Sequence, residues 1–345
     1  MESLAKYKFS FLILTIYISL SFIIFFPEKI SKYLTNFTIE KNQNSLSFNH
    51  DEITVFTIGT GSPLNTSRVQ SGTAVFIKDK FFIFDVGDGV VSKVEEMNLP
   101  LYELDAIFIT HFHSDHYIDL PYIINRSWVL GRNKDLNVFG PKGLENILES
   151  NISFLELENK HRVDHHGANI MNDKYAFGIS NEFIIEKNQK IIYDFDGVKI
   201  TAFNVDHYPV EPSVGYSIEY KNKKVVLSGD TKANDLVFEM AKNADLLIHE
   251  TILNSLLKNT VKVLESKEMY RNSHIVDDIQ NYHTPPNEIV KLANKANIKT
   301  LVLHHLIPAP DNIIIKKLYE KQIKGFNGKV YLAKDGDKFI VKINE

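Results

Sequence analysis

The sequence predicts an α/β fold in which two sheets pack face to face with helices on the outside. Three observations point there. Strand-like runs come first, in ITVFTIGTG from Ile53, TAVFI (Thr73 to Ile77) and FFIFDVGDG (Phe81 to Gly89). Strands then alternate with amphipathic helical segments, and the order repeats, which suits two layered sheets. Finally, AIFIT (Ala106 to Thr110) is a short, uniformly apolar run of the kind buried on both faces, and it feeds directly into HFHSDH.

Taken in order, the first run enters a tight turn at Gly59 and Gly61, and the third ends in Asp85, Gly87, Asp88 and Gly89. Helical spacing follows over Val90 to Met97. Further strands are expected at Leu136–Phe139, Val198–Val205, Gly215–Tyr220, Lys224–Ser228, Leu246–Ile248, Thr300–Leu303, Lys329–Ala333 and Lys338–Lys342. Helices are expected near Asp119–Leu130, Gly143–Ser150, Asp235–Lys242, Pro286–Ala296 and Asn312–Lys321. The stretch Asn151 to Lys190 is polar and weakly periodic, and reads as a surface insertion bordering the site. Its His161, His165 and His166 are candidates for substrate contact or for plain solvation.

Composition narrows the function classes. The 345 residues carry 39 basic and 43 acidic side chains, a balance that argues against a dedicated nucleic-acid binder. With no cysteine, disulfides, thiolate metal sites and a cysteine nucleophile are all excluded. Any metal must be held by His, Asp or Glu.

Phe9 to Phe26 reads FSFLILTIYISLSFIIFF, an uncharged run at the lower limit for crossing a bilayer. It ends at Phe25, Phe26 and Pro27 without an A-x-A-like cleavage site, which favours an uncleaved membrane anchor over a cleaved export signal. Lysines flank it on both sides, so the charge rule for orientation is nearly symmetrical. The resulting division is residues 1–30 as anchor or signal segment, 31–50 as linker and 51–345 as catalytic domain. That domain is expected to be membrane-anchored or exported, on the extracytoplasmic side.

HFHSDH offers His111, His113, Asp115 and His116 within six positions after a buried strand. Imidazole and carboxylate suit Zn²⁺, Mn²⁺ or Fe²⁺, and four such donors exceed what one catalytic ion with open positions needs. Two divalent ions, zinc foremost, are therefore expected. The motif resembles the H-x-H-x-D-H signature of the metallo-β-lactamase superfamily, an αββα sandwich of two mixed sheets. The resemblance extends down the chain, to His207 in VDHYPV, Asp230 in VVLSGDT, and His304 and His305 in LVLHHLIP.

That resemblance implies a ligand set. His111, His113 and His207 would hold one ion. Asp115, His116 and His305 would hold the other, with Asp230 bridging. His305 is preferred over His304 because the family places its ligand one variable residue after a short apolar strand. The same resemblance implies hydrolysis by a metal-bridging hydroxide, with Asp115 orienting the nucleophile and His283, in YHTPP, protonating the leaving oxygen. His249, Glu250 and His304 would orient ligands or hydrogen-bond in the core, and Asp85 and Asp88 would support the metal-binding loop or form turns. Gly59, Gly61 and Ser62 resemble the family's first motif. Arg68 is either a contact for an anionic substrate or a solvated side chain.

Within the superfamily the chain is similar to the ribonuclease Z-like group and its exported arylsulfatase-type members. Bacterial ribonuclease Z houses a long tRNA-gripping arm between the residues matching His207 and Asp230, but here only 22 residues intervene. This, the acidic balance and the apolar leader set the expectation: hydrolysis of a small anionic ester, either an aryl or alkyl sulfate or a phosphodiester, with tRNA disfavoured. Ribonuclease Z-like tRNA 3′-processing is the first alternative, and a non-catalytic membrane-tethered metal-binding protein the second. A homodimer is compatible with either.

Overall fold

The structure is a computed structural model that describes residues 15–17, 21, 23–43, 50–63 and 67–343. The chain divides into two compact units, Met1–Ser47 and Phe48–Glu345. Most of the apolar run Phe9 to Phe26 lies outside the described residues. Among the described residues no helix is long and apolar enough to cross a membrane.

In the first unit, helix α1 (Pro27–Gln43) replaces most of the linker expected over 31–50. Its proline stands at the first helical position, where the missing N–H costs nothing, and no glycine or further proline interrupts the segment.

The second unit contains two seven-stranded sheets. In the first, β1 (Glu52–Gly59), β2 (Gly72–Ile77), β3 (Lys80–Phe84), β4 (Ala106–Phe108), β5 (Leu136–Pro141) and β6 (Gly178–Phe183) lie side by side in sequence order. The second runs, again side by side, through β7 (Gln189–Phe195), β8 (Val198–Asn204), β9 (Val214–Tyr220), β10 (Lys223–Leu227), β11 (Leu246–Ile252), β12 (Thr300–Ile307) and β13 (Lys329–Leu332). The last strand, β14 (Asp337–Lys342), crosses back and pairs antiparallel with β1, Glu52 opposite Lys342. Pairing is parallel along β3, β4, β5 and β6 and along β10, β11, β12 and β13. Both sheets are mixed, as expected.

The sheets meet through one apolar cluster drawn from both, including Phe82, Phe84, Phe108, Phe139, Tyr216 and Val302. Phe108 stacks on Phe84 at 4.7 Å and on Phe139 at 4.8 Å between ring centroids. Helices cover the outer faces. Over the first sheet run α2 (Val90–Glu96), α4 (Leu120–Val129) and α5 (Leu144–His166), while the single turn α3 (Ser114–Tyr117) belongs to the loop that follows β4. In the second half come α6 (Asp235–Met240), α7 (Asn254–Ser266), α8 (Tyr270–Asp278), α9 (Pro286–Lys295) and α10 (Ile313–Gln322). Here Val237, Ile289, Ala293 and Tyr319 pack on Val226, Leu247 and Leu301 of the sheet.

The insertion expected over Asn151 to Lys190 is more regular than its polarity suggested. Helix α5 runs through to Gly167, since no glycine or proline breaks it earlier, and buries only Leu144, Leu148, Asn151, Leu155 and Asn159. Two of those five are asparagines; the buried amide of Asn125 donates to Asn159 at 2.9 Å. A stripe this narrow leaves little periodic signal. His161, His165 and His166 are exposed on the last turns of α5, and the remaining residues supply the two outer strands β6 and β7.

Candidate metal centre

The parallel strands end at the same edge of the sandwich, and their loops carry the site. Beyond β4, Thr110 donates to Asp85 from its backbone N–H (2.8 Å) and from its hydroxyl (2.9 Å). This pins the HFHSDH loop to the end of β3. Gly87 is needed there: a Cβ at this position would stand 2.1 Å from the Asp115 carbonyl oxygen. Gly229, at φ +63°, turns the chain from β10 into Asp230, and a Cβ there would meet the Val214 carbonyl at 2.5 Å.

His111, His113, Asp115, His116, His207, Asp230, His283 and His305 converge, every one buried except the half-buried His113. Two clusters form. In the first, His113 Nδ1 faces His111 Nε2 at 3.1 Å and His207 Nε2 at 3.3 Å. In the second, His305 Nε2 lies 3.0 Å from Asp115 and 3.4 Å from Asp230, while His116 Nε2 lies 3.5 and 3.2 Å from the same two carboxylates. Asp230 also reaches toward the first cluster, 3.9 Å from His111.

Outer partners set the tautomers. His207 Nδ1 faces the Tyr282 carbonyl at 3.1 Å, which can only accept, so Nε2 is left with its lone pair. His116 Nδ1 meets Asp85 at 2.8 Å, turning Nε2 inward toward Asp115 and Asp230. The Thr110 hydroxyl gives its proton to Asp85 and so accepts from His111 Nδ1 at 3.0 Å.

The lone pairs of His111 Nε2 and His207 Nε2 both face His113 Nδ1, which can give a proton to only one of them, so one close lone-pair contact is left for a cation to relieve. Ligands held tetrahedrally about 2.0–2.1 Å from a zinc-sized ion stand about 3.3–3.4 Å apart, and the spacings here fit that geometry. Nδ1–H groups engaged outward by carboxylate, hydroxyl and carbonyl are the support such ligands require.

The electrostatics differ between the clusters. Burial lowers His111 well below its ordinary value and His207 to about 4, and lowers His113 as well. At His116 and His305 burial acts the same way, but Asp230 and Asp115 outweigh it and raise both. Burial alone would raise Asp115 and Asp230; the facing imidazoles instead hold both below the usual carboxylate range.

His283 stacks on His305 at 5.5 Å, with Nδ1 3.0 Å from Glu250 Oε2. Glu250 accepts from the Thr284 N–H at 2.7 Å. Burial lowers His283 to about 4 and raises Glu250 well above the usual range, so both tend toward neutrality.

Four expectations are sharpened or corrected. His304 is not at the centre: its ring bonds the Gly59 carbonyl at 2.7 Å, and burial lowers it to about 3. His249 turns away, bonding the Glu250 carbonyl at 2.7 Å and stacking on Phe238, as a core residue. Asp88 serves a turn through its backbone, with Gln70. Arg68 is no free anion contact, because its guanidinium bonds Asp311 (2.8 Å), Thr60 (2.9 Å) and the Ala333 carbonyl (2.8 Å). Thr110, Thr284 and the Tyr282 carbonyl went unread in the sequence, since a lone threonine or a backbone oxygen carries no pattern.

The family described as a β-lactamase superfamily domain matches residues 84–306, which span all the converging residues. The chain belongs to this family, the metallo-β-lactamase superfamily of metal-dependent hydrolases. It is 31% identical over 267 residues to the ribonuclease Z of Mycobacterium bovis, covering 75% of this chain and 86% of that one. The ribonuclease Z of Mycolicibacterium paratuberculosis is 30% identical over 261 residues, covering 74% and 87%. Among solved structures, the metallo-β-lactamase fold protein YhfI of Bacillus subtilis superposes with a TM-score of 0.61 at 19% identity, covering 84% of this chain and 100% of that one. The short form of human tRNase Z gives 0.59 at 22%, covering 84% and 99%. These two likenesses establish the fold. The relatives lend no support to an arylsulfatase-type branch, and their ribonuclease Z names run against the expectation that tRNA is disfavoured.

Proposed function

We propose that the protein is a two-metal phosphodiesterase of ribonuclease Z type, with zinc the first choice of ion, acting on RNA at the 3′ side of a tRNA-like body. The observation that carries this is the joint one: two donor clusters sharing Asp230, in a chain 31% identical to a ribonuclease Z over 267 residues.

Bound divalent ions would supply a water acidic enough to react near neutral pH, and would offset charge on the phosphate. His111, His113 and His207 would hold one ion, and Asp115, His116 and His305 the other, with Asp230 between them. Asp115 orients the attacking water through its carboxylate. His283 would present Nε2–H to the leaving oxygen and give it that proton while its Nδ1 takes the proton of the Glu250 carboxyl group, so that one proton passes from Glu250 through the ring. The oxygen–phosphorus bond forms from water as the P–O3′ bond breaks, leaving a 3′-hydroxyl and a 5′-phosphate.

A second reading, hydrolysis of a small phosphodiester, is favoured by the short span between His207 and Asp230. It holds only the antiparallel pair β9 and β10, closed by the turn at Lys221 and Asn222.

Purified, metal-quantified protein should be given a precursor tRNA with a 3′ trailer, bis(p-nitrophenyl) phosphate and p-nitrophenyl sulfate. Trailer release at one position with diester turnover is expected. Diester turnover without trailer cleavage selects the second reading. Turnover of the sulfate alone defeats both.

A further inference from the structure

A cavity of about 480 Å³ opens between the ends of β5 and β6 and the β8–β9 loop, at the same edge of the sandwich as the candidate centre. Its volume is within the range of small-molecule sites. It borders the first donor cluster. Val205 lies in its wall two residues before His207. The N–H of Val214, also in the wall, bonds the carbonyl of Thr110, the residue before His111, at 3.0 Å.

The walls are mostly apolar. Phe183, Ile185, Val205 and Val214 supply the faces, and Ile184, 59% exposed, stands at the mouth. The polar groups are few. Asn204 donates from Nδ2 to the Lys187 carbonyl at 2.7 Å, which leaves Oδ1 to accept. Buried Ser213 also lines the cavity, and its Oγ has no hydrogen-bond partner among the described residues. Buried hydroxyls are rarely left in that condition. Lys142 and Glu211 are exposed and place one charge of each sign on the rim. Apolar faces with a few polar groups at their edges suit a flat heterocycle, whose ring the faces cover.

We propose that this cavity receives the nucleobase of the nucleotide 3′ to the cut, the one that keeps the phosphate. The occupant rests on the reading of the centre as a ribonuclease. The side follows from the proton donor. His283, which serves the leaving oxygen, stands on the loop before α9, whereas the cavity is built from strand ends and the β8–β9 loop. The nucleotide that carries the leaving oxygen lies toward His283, and its neighbour falls to the cavity. Lys142 then meets the next phosphate of the strand. Asn204 Oδ1 and the Glu211 carboxylate are acceptors, so they favour a base with an amino group over uracil.

The metal-loaded full chain would be titrated by calorimetry with cytidine 5′-phosphate, uridine 5′-phosphate and ribose 5-phosphate. Cytidine 5′-phosphate should bind about tenfold more tightly than ribose 5-phosphate, the gain from one enclosed base. Uridine 5′-phosphate should bind about threefold more weakly than cytidine 5′-phosphate. Ile184→Asn and Asn204→Ala should each weaken cytidine 5′-phosphate about threefold to tenfold. Neither should change the affinity for ribose 5-phosphate, which a damaged fold would also lower. Equal affinity for cytidine 5′-phosphate and ribose 5-phosphate would overturn the proposal. So would a base preference that survives both substitutions, or no binding of any of the three. Base-selective binding in a protein that releases no tRNA trailer would retire the ribonuclease reading and keep the cavity as a nucleotide site. Trailer release without base selectivity would do the reverse.

Discussion

The two halves of the candidate centre are built from opposite electrostatics. His111, His113 and His207 face one another as imidazoles that burial keeps neutral. Asp115, His116, Asp230 and His305 form a mixed set, in which the carboxylates raise the imidazoles and the imidazoles lower the carboxylates. The first half has lone pairs ready and no counter-charge. The second is already neutralised by its own members, so a cation entering it must displace the protons that tie imidazole to carboxylate. One scaffold thus offers two sites of unequal readiness, coupled through Asp230.

Asp230→Ala should break that coupling with the largest effect. It should empty both halves and lower kcat/KM on the order of 10³-fold or more, since several kcal/mol of charge stabilisation go with the ions. Elemental analysis retaining two ions per chain would refute the shared role. His113→Ala should separate the halves, because it removes a nitrogen from the first half alone; one ion should remain, with activity lost. Loss of both ions together would show that the mixed half depends on its neighbour.

His283→Ala should leave the ions in place while slowing turnover about 10²–10⁴-fold with a poor leaving group. With p-nitrophenolate, which needs no proton, little should change, and an equal loss on both substrates would remove the acid role. Asp85→Asn weakens the grip on His116 and should cost about 10–100-fold in affinity at the mixed half, seen as earlier loss of one ion to a chelator.

The smallest effect is expected beneath the centre, at Tyr216, whose buried hydroxyl donates to the Ile109 carbonyl. Burial raises its pKa well above the ordinary value. A group raised in the folded state stabilises fully below its unfolded pKa of about 10, and that stability is lost as pH climbs beyond it. Tyr216→Phe should therefore cost about 1 kcal/mol at neutral pH and flatten the alkaline fall in Tm. An unchanged alkaline limb would assign that fall to other tyrosines.

Most of the sandwich was legible because its strands are either uniformly apolar or cleanly bounded, as Ala106 to Thr110 and Leu246 to Ile248 are. The HFHSDH cluster was legible because its donors are adjacent in sequence. Less visible were elements whose identity depends on the rest of the fold. Helix α5 continues through a polar stretch because asparagines occupy its buried stripe, and β7 is a mostly exposed outer strand without strict alternation. Arg68 sits in a loop and looked available, yet its partners Asp311 and Ala333 lie over 240 residues away in sequence. The expectation of a small ester as substrate parts from the relatives' ribonuclease Z names for a different reason. Net charge and loop length describe the whole chain and one interval, whereas kinship with ribonuclease Z is distributed over 267 residues.

His305 stands in the left-handed region at φ +45°, where the register between β11 and β12 slips by one residue. A regular strand would send neighbouring His304 and His305 to opposite faces, and the slip is what lets His305 reach Asp115 and Asp230. The donor that completes the mixed half is therefore set by a backbone defect. While Thr300–Ile307 is still held in the ribosome the cation trap is unfinished, so hydrolytic competence waits for that strand to emerge and pair.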